Sequence, residues 1–130
     1  MDFSIKSVDV INLFIEDVAG TKAFYQDVLG LQAAFEDEKN AVFKLANIMI
    51  HLLDVSDAPD MIAPAMVARP EAGSRFVIAA FVDNVDEVCA ELARRGVELL
   101  NGPVDRPWGV RTASFSDPAG HIWEIAQELS

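Results

Sequence analysis

Two residues on otherwise apolar segments carry most of the chemical potential of this sequence. His51 alternates with Asn47, Met49 and Leu53, and Glu124 alternates with Ile122 and Ala126. An imidazole titrates near neutral pH and can exchange a proton or ligate a metal. An ionised carboxylate on an apolar face is costly unless it is paired. Trp108, just before Gly109 at the start of a strand, offers a pocket wall, and Arg111 offers a cation for an acidic group. The remaining reactive residue types read as structural. His121 follows a turn and belongs at the surface, Tyr25 lies half-buried on a helix, and Cys89 acts as a small hydrophobe on an apolar stripe. No Ser-His-Asp arrangement, phosphate-cradling glycine loop or dinucleotide fingerprint is present. A single cysteine excludes an internal disulfide and a Cys-cluster zinc site.

The elements that must position these residues come in two similar sets. Residues 7–16 alternate as a strand, with Val8, Val10, Asn12 and Phe14 on one face and Ile11, Leu13 and Ile15 on the other. Asp17 stands at an N-cap position. Val18, Thr21, Phe24, Tyr25, Val28 and Leu29 then form a helical face that ends at Gly30. Strands are predicted over 31–35, 41–46 and 48–53, with a polar turn at 36–40. The pattern restarts with a strand over 75–82. Asn84 with Glu87 makes a capping box, and Val85, Val88, Cys89 and Leu92 form a stripe that closes at Gly96. Strands over 97–100, 108–116 and 121–127 follow, the last two joined by the turn Asp117-Pro118-Ala119-Gly120.

The order is βαβββ twice, and Phe14-Ile15-Glu16-Asp17-Val18 aligns with Phe81-Val82-Asp83-Asn84-Val85. This internal repeat predicts a pseudo-symmetric pair of modules. We expect a single domain over 1–130, with modules at about 5–55 and 75–128 and a proline-containing linker at about 56–74. The repeat puts His51 and Glu124 at equivalent places, which makes each the other's natural partner. Asn12 and Phe14 share a face with Val10, and Ala79 and Phe81 share one with Val77. With Met49, these faces are apolar with aromatic rims and a few polar groups, and if they line a concave surface it has the character of a small-molecule site.

Composition narrows the partners. The chain has 130 residues, 52% hydrophobic and 24% charged, which suits one globular domain. Twenty-one acids against ten bases give a net charge of −11, which argues against nucleic acid and against anionic membrane surfaces. No stretch reaches 18 apolar residues and the first residues lack a secretory pattern, so the expected location is the cytoplasm.

Asp17, Ala23-Phe24-Tyr25 and Val28-Leu29-Gly30-Leu31 resemble the opening motif of the vicinal oxygen chelate superfamily. That group includes glyoxalase I, extradiol dioxygenases and bleomycin-resistance proteins. The run from Phe115-Ser116-Asp117-Pro118 through Gly120-His121-Ile122-Trp123-Glu124, after Trp108-Gly109, resembles its closing hairpin. The likeness spans about 7 to 127. It implies an α+β fold of tandem βαβββ modules curled into a cup-shaped, partly open barrel, the glyoxalase/bleomycin resistance fold, usually as a homodimer. Metal-dependent relatives hold a divalent ion with four strand positions, and carried onto this chain these fall on Val10, Val77, His51 and Glu124. Valine cannot ligate, and one imidazole with one carboxylate leaves an ion mostly hydrated.

The expectation is therefore a metal-free, bleomycin-resistance-like protein that binds a small, partly apolar molecule. His51 and Glu124 would anchor its polar group or perform acid–base work. Val10, Asn12, Phe14, Met49, Val77, Phe81, Trp108 and Arg111 would contact it. The resemblance also allows two alternatives. One is a metal-dependent lyase, isomerase or dioxygenase whose divalent ion uses His51, Glu124 and water or substrate. The other is a glyoxalase-like enzyme that works by acid–base catalysis without metal.

Overall fold

Leu13 and Ile15 are buried while Val10 and Asn12 are exposed, the two-residue period of a strand covered on one face. The covering element starts at once. Asp17 accepts a hydrogen bond from Gly20 N at 3.0 Å and caps a helix that buries Val18 and Thr21. The computed structural model describes residues 2–130. These form two compact units, one extending to Ala68 and the other Arg69–Ser130.

The first unit contains β1 (Val10–Ile15), α1 (Val18–Ala23), a π-helical continuation Phe24–Val28, β2 (Ala33–Glu36), β3 (Asn40–Lys44) and β4 (Met49–Asp54). Its sheet has the order β1-β4-β3-β2, with β1 parallel to β4 and the other pairs antiparallel. The side facing the helix is packed with Leu13, Ile15, Ala41, Phe43, Ile50 and Leu52. Tyr25 is fully buried against Phe43, their rings stacked with centroids 5.5 Å apart. The sequence expects Tyr25 to be half-buried and Phe24 and Leu29 to be core. The wider π turn shifts the stripe so that Tyr25 alone takes the centre, and Phe24, Val28 and Leu29 stay half-buried.

A short 3₁₀ turn (Val55–Asp57), α2 (Pro59–Ile62) and a second 3₁₀ turn (Pro70–Ala72) follow. The second unit then repeats the plan with β5 (Val77–Phe81), α3 (Val85–Arg94), β6 (Asn101–Arg106), β7 (Val110–Ser116) and β8 (Ile122–Glu128), in the order β5-β8-β7-β6. Asn84 caps α3 by accepting from Glu87 N at 3.0 Å. Val85, Cys89 and Leu92 of α3 are buried, as are Ala113, Phe115, Trp123 and Ile125 of the sheet, while Val88 is only half-buried.

Strand ends differ from the sequence reading for one physical reason, the reach of the partner. β1 starts at Val10 because β4 opposite it starts at Met49, and β5 starts at Val77 because β8 starts at Ile122. One assignment is corrected outright. No strand runs over 97–100; the strand is β6, beginning at Asn101. Gly102-Pro103 reads as a break, yet an edge strand loses no ladder bond to a proline. At Gly102 the backbone φ is +90°, and a Cβ there would run into the Thr112 carbonyl oxygen. Only glycine fits this close approach.

Candidate functional site

In each unit one sheet face carries the helix and the other does not; the second is called the open face here. On the first unit's open face, register puts Val10 opposite Met49, Asn12 opposite His51 and Phe14 opposite Leu53, with Val42 on the far side of His51. Val10 is 37% exposed and Phe35, opposite Val42, is 56% exposed. His51 is thus a half-buried imidazole among apolar neighbours.

Its two ring nitrogens are both engaged. Nδ1 lies 2.7 Å from Asn12 Oδ1 and Nε2 lies 2.8 Å from Asn40 Oδ1. Asn40 donates its amide nitrogen to Asp37 Oδ1 at 3.0 Å. That bond orients the Asn40 amide, so its oxygen must accept from His51 Nε2–H. Burial lowers the His51 pKa below the usual histidine value, and the Asp37 charge opposes this only in part. The ring is then neutral at pH 7, with Nδ1 as its acceptor. Asn12 must turn its NH2 to that nitrogen and present its carbonyl oxygen outward. Protonation of His51 reverses this, since an imidazolium donates from both nitrogens. Asp37 is held below the ordinary carboxylate range, chiefly by the Asn40 hydrogen bond and the Lys39 backbone N–H.

On the second unit's open face, Ala79 lies opposite Glu124, with Ser114 on the far side and Asn101 beyond it. Glu124 is half-buried, and its carboxylate has no hydrogen-bond or ion-pair partner among the described residues. Val77 and Phe81 are 49% and 69% exposed on the same face. A cavity of ≈ 340 Å³ opens at the ends of β5 and β8, lined by Phe81, Val82, Asp83, Gln127 and Glu128. Of the residues that the sequence singles out, it includes Phe81 alone.

Two candidates stand apart. Arg111 lies on the helix-bearing face, bonded to Asp105 at 2.7 Å and to Asp86 of α3 at 3.0 Å, so its charge is compensated internally. Trp108 is 72% exposed in the turn between β6 and β7. His121, expected at the surface, is mostly covered. The buried Asp117 carboxylate accepts from the backbone N–H groups of Ala119 and His121 and draws the turn inward. Burial raises the Cys89 thiol pKa, as suits a packing residue.

Sequence reasoning missed two features. Asn40 falls in the predicted polar turn, yet it sets the His51 tautomer. Arg106 lies between the predicted strands in sequence, yet it stands on the open face. Extending the strand after the polar turn back to Asn40 puts Asn40, by parity with Val42, on the face of His51, whereas no such signal exists for Arg106, whose strand is hidden and irregular between Asn101 and Val104.

A divalent metal of the kind used by metal-dependent relatives does not fit this donor set. Val10 and Val77 have no donor atom. His51 has no uncommitted nitrogen, and the residue opposite it is an amide, while Ala79 stands opposite Glu124. No group of three His, Cys, Asp or Glu side chains able to hold an ion occurs among the described residues.

Comparison with known proteins agrees with the repeat. The family model described as Glyoxalase/Bleomycin resistance protein/Dioxygenase superfamily matches residues 7–125. YraH, an uncharacterized protein of Bacillus subtilis, is 32% identical over 123 residues, which is 92% of this chain and 96% of that protein. A crystal structure of a glyoxalase/bleomycin resistance protein/dioxygenase from Nocardioides superposes with TM-score 0.86 at 24% identity, covering 99% of this chain and 87% of that one. TnmS3, an antibiotic binding protein from Streptomyces sp. CB03234, superposes with TM-score 0.73 at 25% identity, covering 98% of this chain and 99% of its own. No described helix is long and apolar enough to cross a membrane.

Proposed function

Since the chain belongs to the glyoxalase/bleomycin resistance protein/dioxygenase superfamily, we propose that it is one of the members that bind a small, partly apolar molecule without a metal. The observation that carries this reading is the bonding of His51. A ring with Nε2 given to Asn40 and Nδ1 to Asn12 is arranged for hydrogen-bond recognition, not for ligation. Around it the open face offers exposed Val10 and half-buried Phe14 and Met49. Val77 and Phe81 accompany Glu124 in the same way on the other sheet. Apolar walls with a few oriented polar groups suit a compact organic ligand. The likeness to TnmS3, an antibiotic binding protein, supports the same reading.

In this proposal each open face supplies its own polar anchor, Asn12 on the first sheet and Glu124 on the second, with His51 setting which way Asn12 points. Trp108 contributes from its exposed turn. Arg111 has no direct part, because Asp105 and Asp86 hold it on the other face. We place the protein in the cytoplasm and expect it to work as a homodimer. Elemental analysis of purified protein tests the metal half of the proposal. It should return no stoichiometric zinc, nickel, manganese or iron. About one tightly held ion per chain, lost in His51→Ala, would favour the metal-dependent enzyme instead.

A further inference from the structure

We infer that Arg106 is an anion-binding residue on the open face of the second sheet, and that the bound molecule carries a carboxylate or similar anionic group there. This rests on the proposed small-molecule function and adds the ligand's charge to it. Register puts Val104 opposite Thr112 and Arg106 opposite Val110, on the face that carries Glu124. The Arg106 side chain lies along this face, with Nε donating to Thr112 Oγ1 at 3.0 Å and Nη2 donating to Asn101 Oδ1 at 2.9 Å. Both partners are neutral. They fix the guanidinium and leave the two Nη1 hydrogens and one Nη2 hydrogen for another acceptor.

The setting makes this unusual within the chain. In a protein of net charge −11, Lys22, Lys39, Arg69, Arg94, Arg95 and Arg111 each lie within 4.0 Å of a carboxylate oxygen. Among the described residues Arg106 has no such partner. Lys6, Lys44 and Arg75 are exposed, where water serves them, but Arg106 is half-buried. A part-desolvated guanidinium held by neutral groups keeps its charge for an incoming anion and has already lost much of its side-chain freedom. Exposed Val104, at 38%, and Phe81, at 69%, give the same face apolar surface for the rest of the ligand.

The test uses a matched pair of probes, phenylacetate and phenylacetamide, which share an aromatic body and differ in charge. Binding to the unsubstituted protein is followed by NMR at the Arg106 Nε–Hε resonance. Phenylacetate should shift this resonance saturably and bind at least tenfold more tightly than the amide. In Arg106→Gln that preference should vanish while the amide still binds, which also reports that the variant is folded. The charge preference and the Nε–Hε shift are read on the unsubstituted protein, so a poorly folded variant leaves the result intact. Equal affinity for both probes, or an unchanged preference in Arg106→Gln, would overturn the role of Arg106 and leave the small-molecule reading standing. Failure of both probes to bind would overturn this inference and count against that reading as well.

Discussion

The Nε2 of His51 lies 2.8 Å from Oδ1 of Asn40, a side chain that has already given its amide nitrogen to Asp37. This one contact fixes which ring nitrogen carries the proton. It ties the direction of the exposed Asn12 amide to the charge of a half-buried imidazole.

A pH dependence follows. Burial depresses the His51 pKa in the folded chain, so between that value and about 6.5 the unfolded state binds more protons. The associated stability is fully present above about pH 6.5 and is lost as pH falls through the folded pKa. Denaturant unfolding should show stability dropping between pH 7 and pH 5, and His51→Gln should reduce that drop. Asn40→Ala should cost about 0.5–1.5 kcal/mol and mix the two ring tautomers, seen in the 15N shifts of His51.

The helix of the second unit supplies a packing test. Leu92 is 4% exposed beneath α3. Leu92→Ala should lower stability by about 2–5 kcal/mol in chemical denaturation. A loss below about 0.5 kcal/mol would mean that α3 buries another face.

Gly102 tests the edge strand. With φ at +90° and the Thr112 carbonyl oxygen in the way of a side chain, Gly102→Ala should destabilise by more than about 1 kcal/mol. Amide exchange should rise first along β6 and at Leu100 just before it, whose N–H donates to Ser114 O at 2.8 Å.

Assembly gives a further test. Exposed Val8, Phe35, Phe76 and Phe81 leave apolar surface for a second copy to cover. Sedimentation at micromolar concentration should give the mass of a dimer, about twice the 14.2 kDa chain. A single monomeric species would contradict the homodimer.

The βαβββ repeat was legible because apolar alternation, the Asp17 and Asn84 caps and the glycines after each helix all point the same way. The strand over 101–106 was hidden, because Gly102-Pro103 is a turn signal anywhere except on an edge. The orientation of His51 and Glu124 within their strands was also legible, since parity fixes the face. Their surroundings were not. A hydrogen bond such as Asn40 to His51 joins positions eleven apart, and the isolation of Arg106 from carboxylates depends on side-chain placement that no spacing encodes. For the same reason the sequence does not reveal that Asp105 and Asp86 compensate Arg111.

The central claim is metal-free recognition of a small molecule through the polar groups of the open faces. Ligand-observed NMR screening of small aromatic and alicyclic fragments, in buffer containing EDTA, tests it most directly. The screen is run on the unsubstituted protein and on His51→Ala and Glu124→Gln. The account predicts saturable binding with EDTA present. It predicts that affinity for the same fragments falls by about 5- to 150-fold in one or both variants, the equivalent of losing about 1–3 kcal/mol. Binding that needs an added divalent ion, or affinities unchanged in both variants, would contradict it.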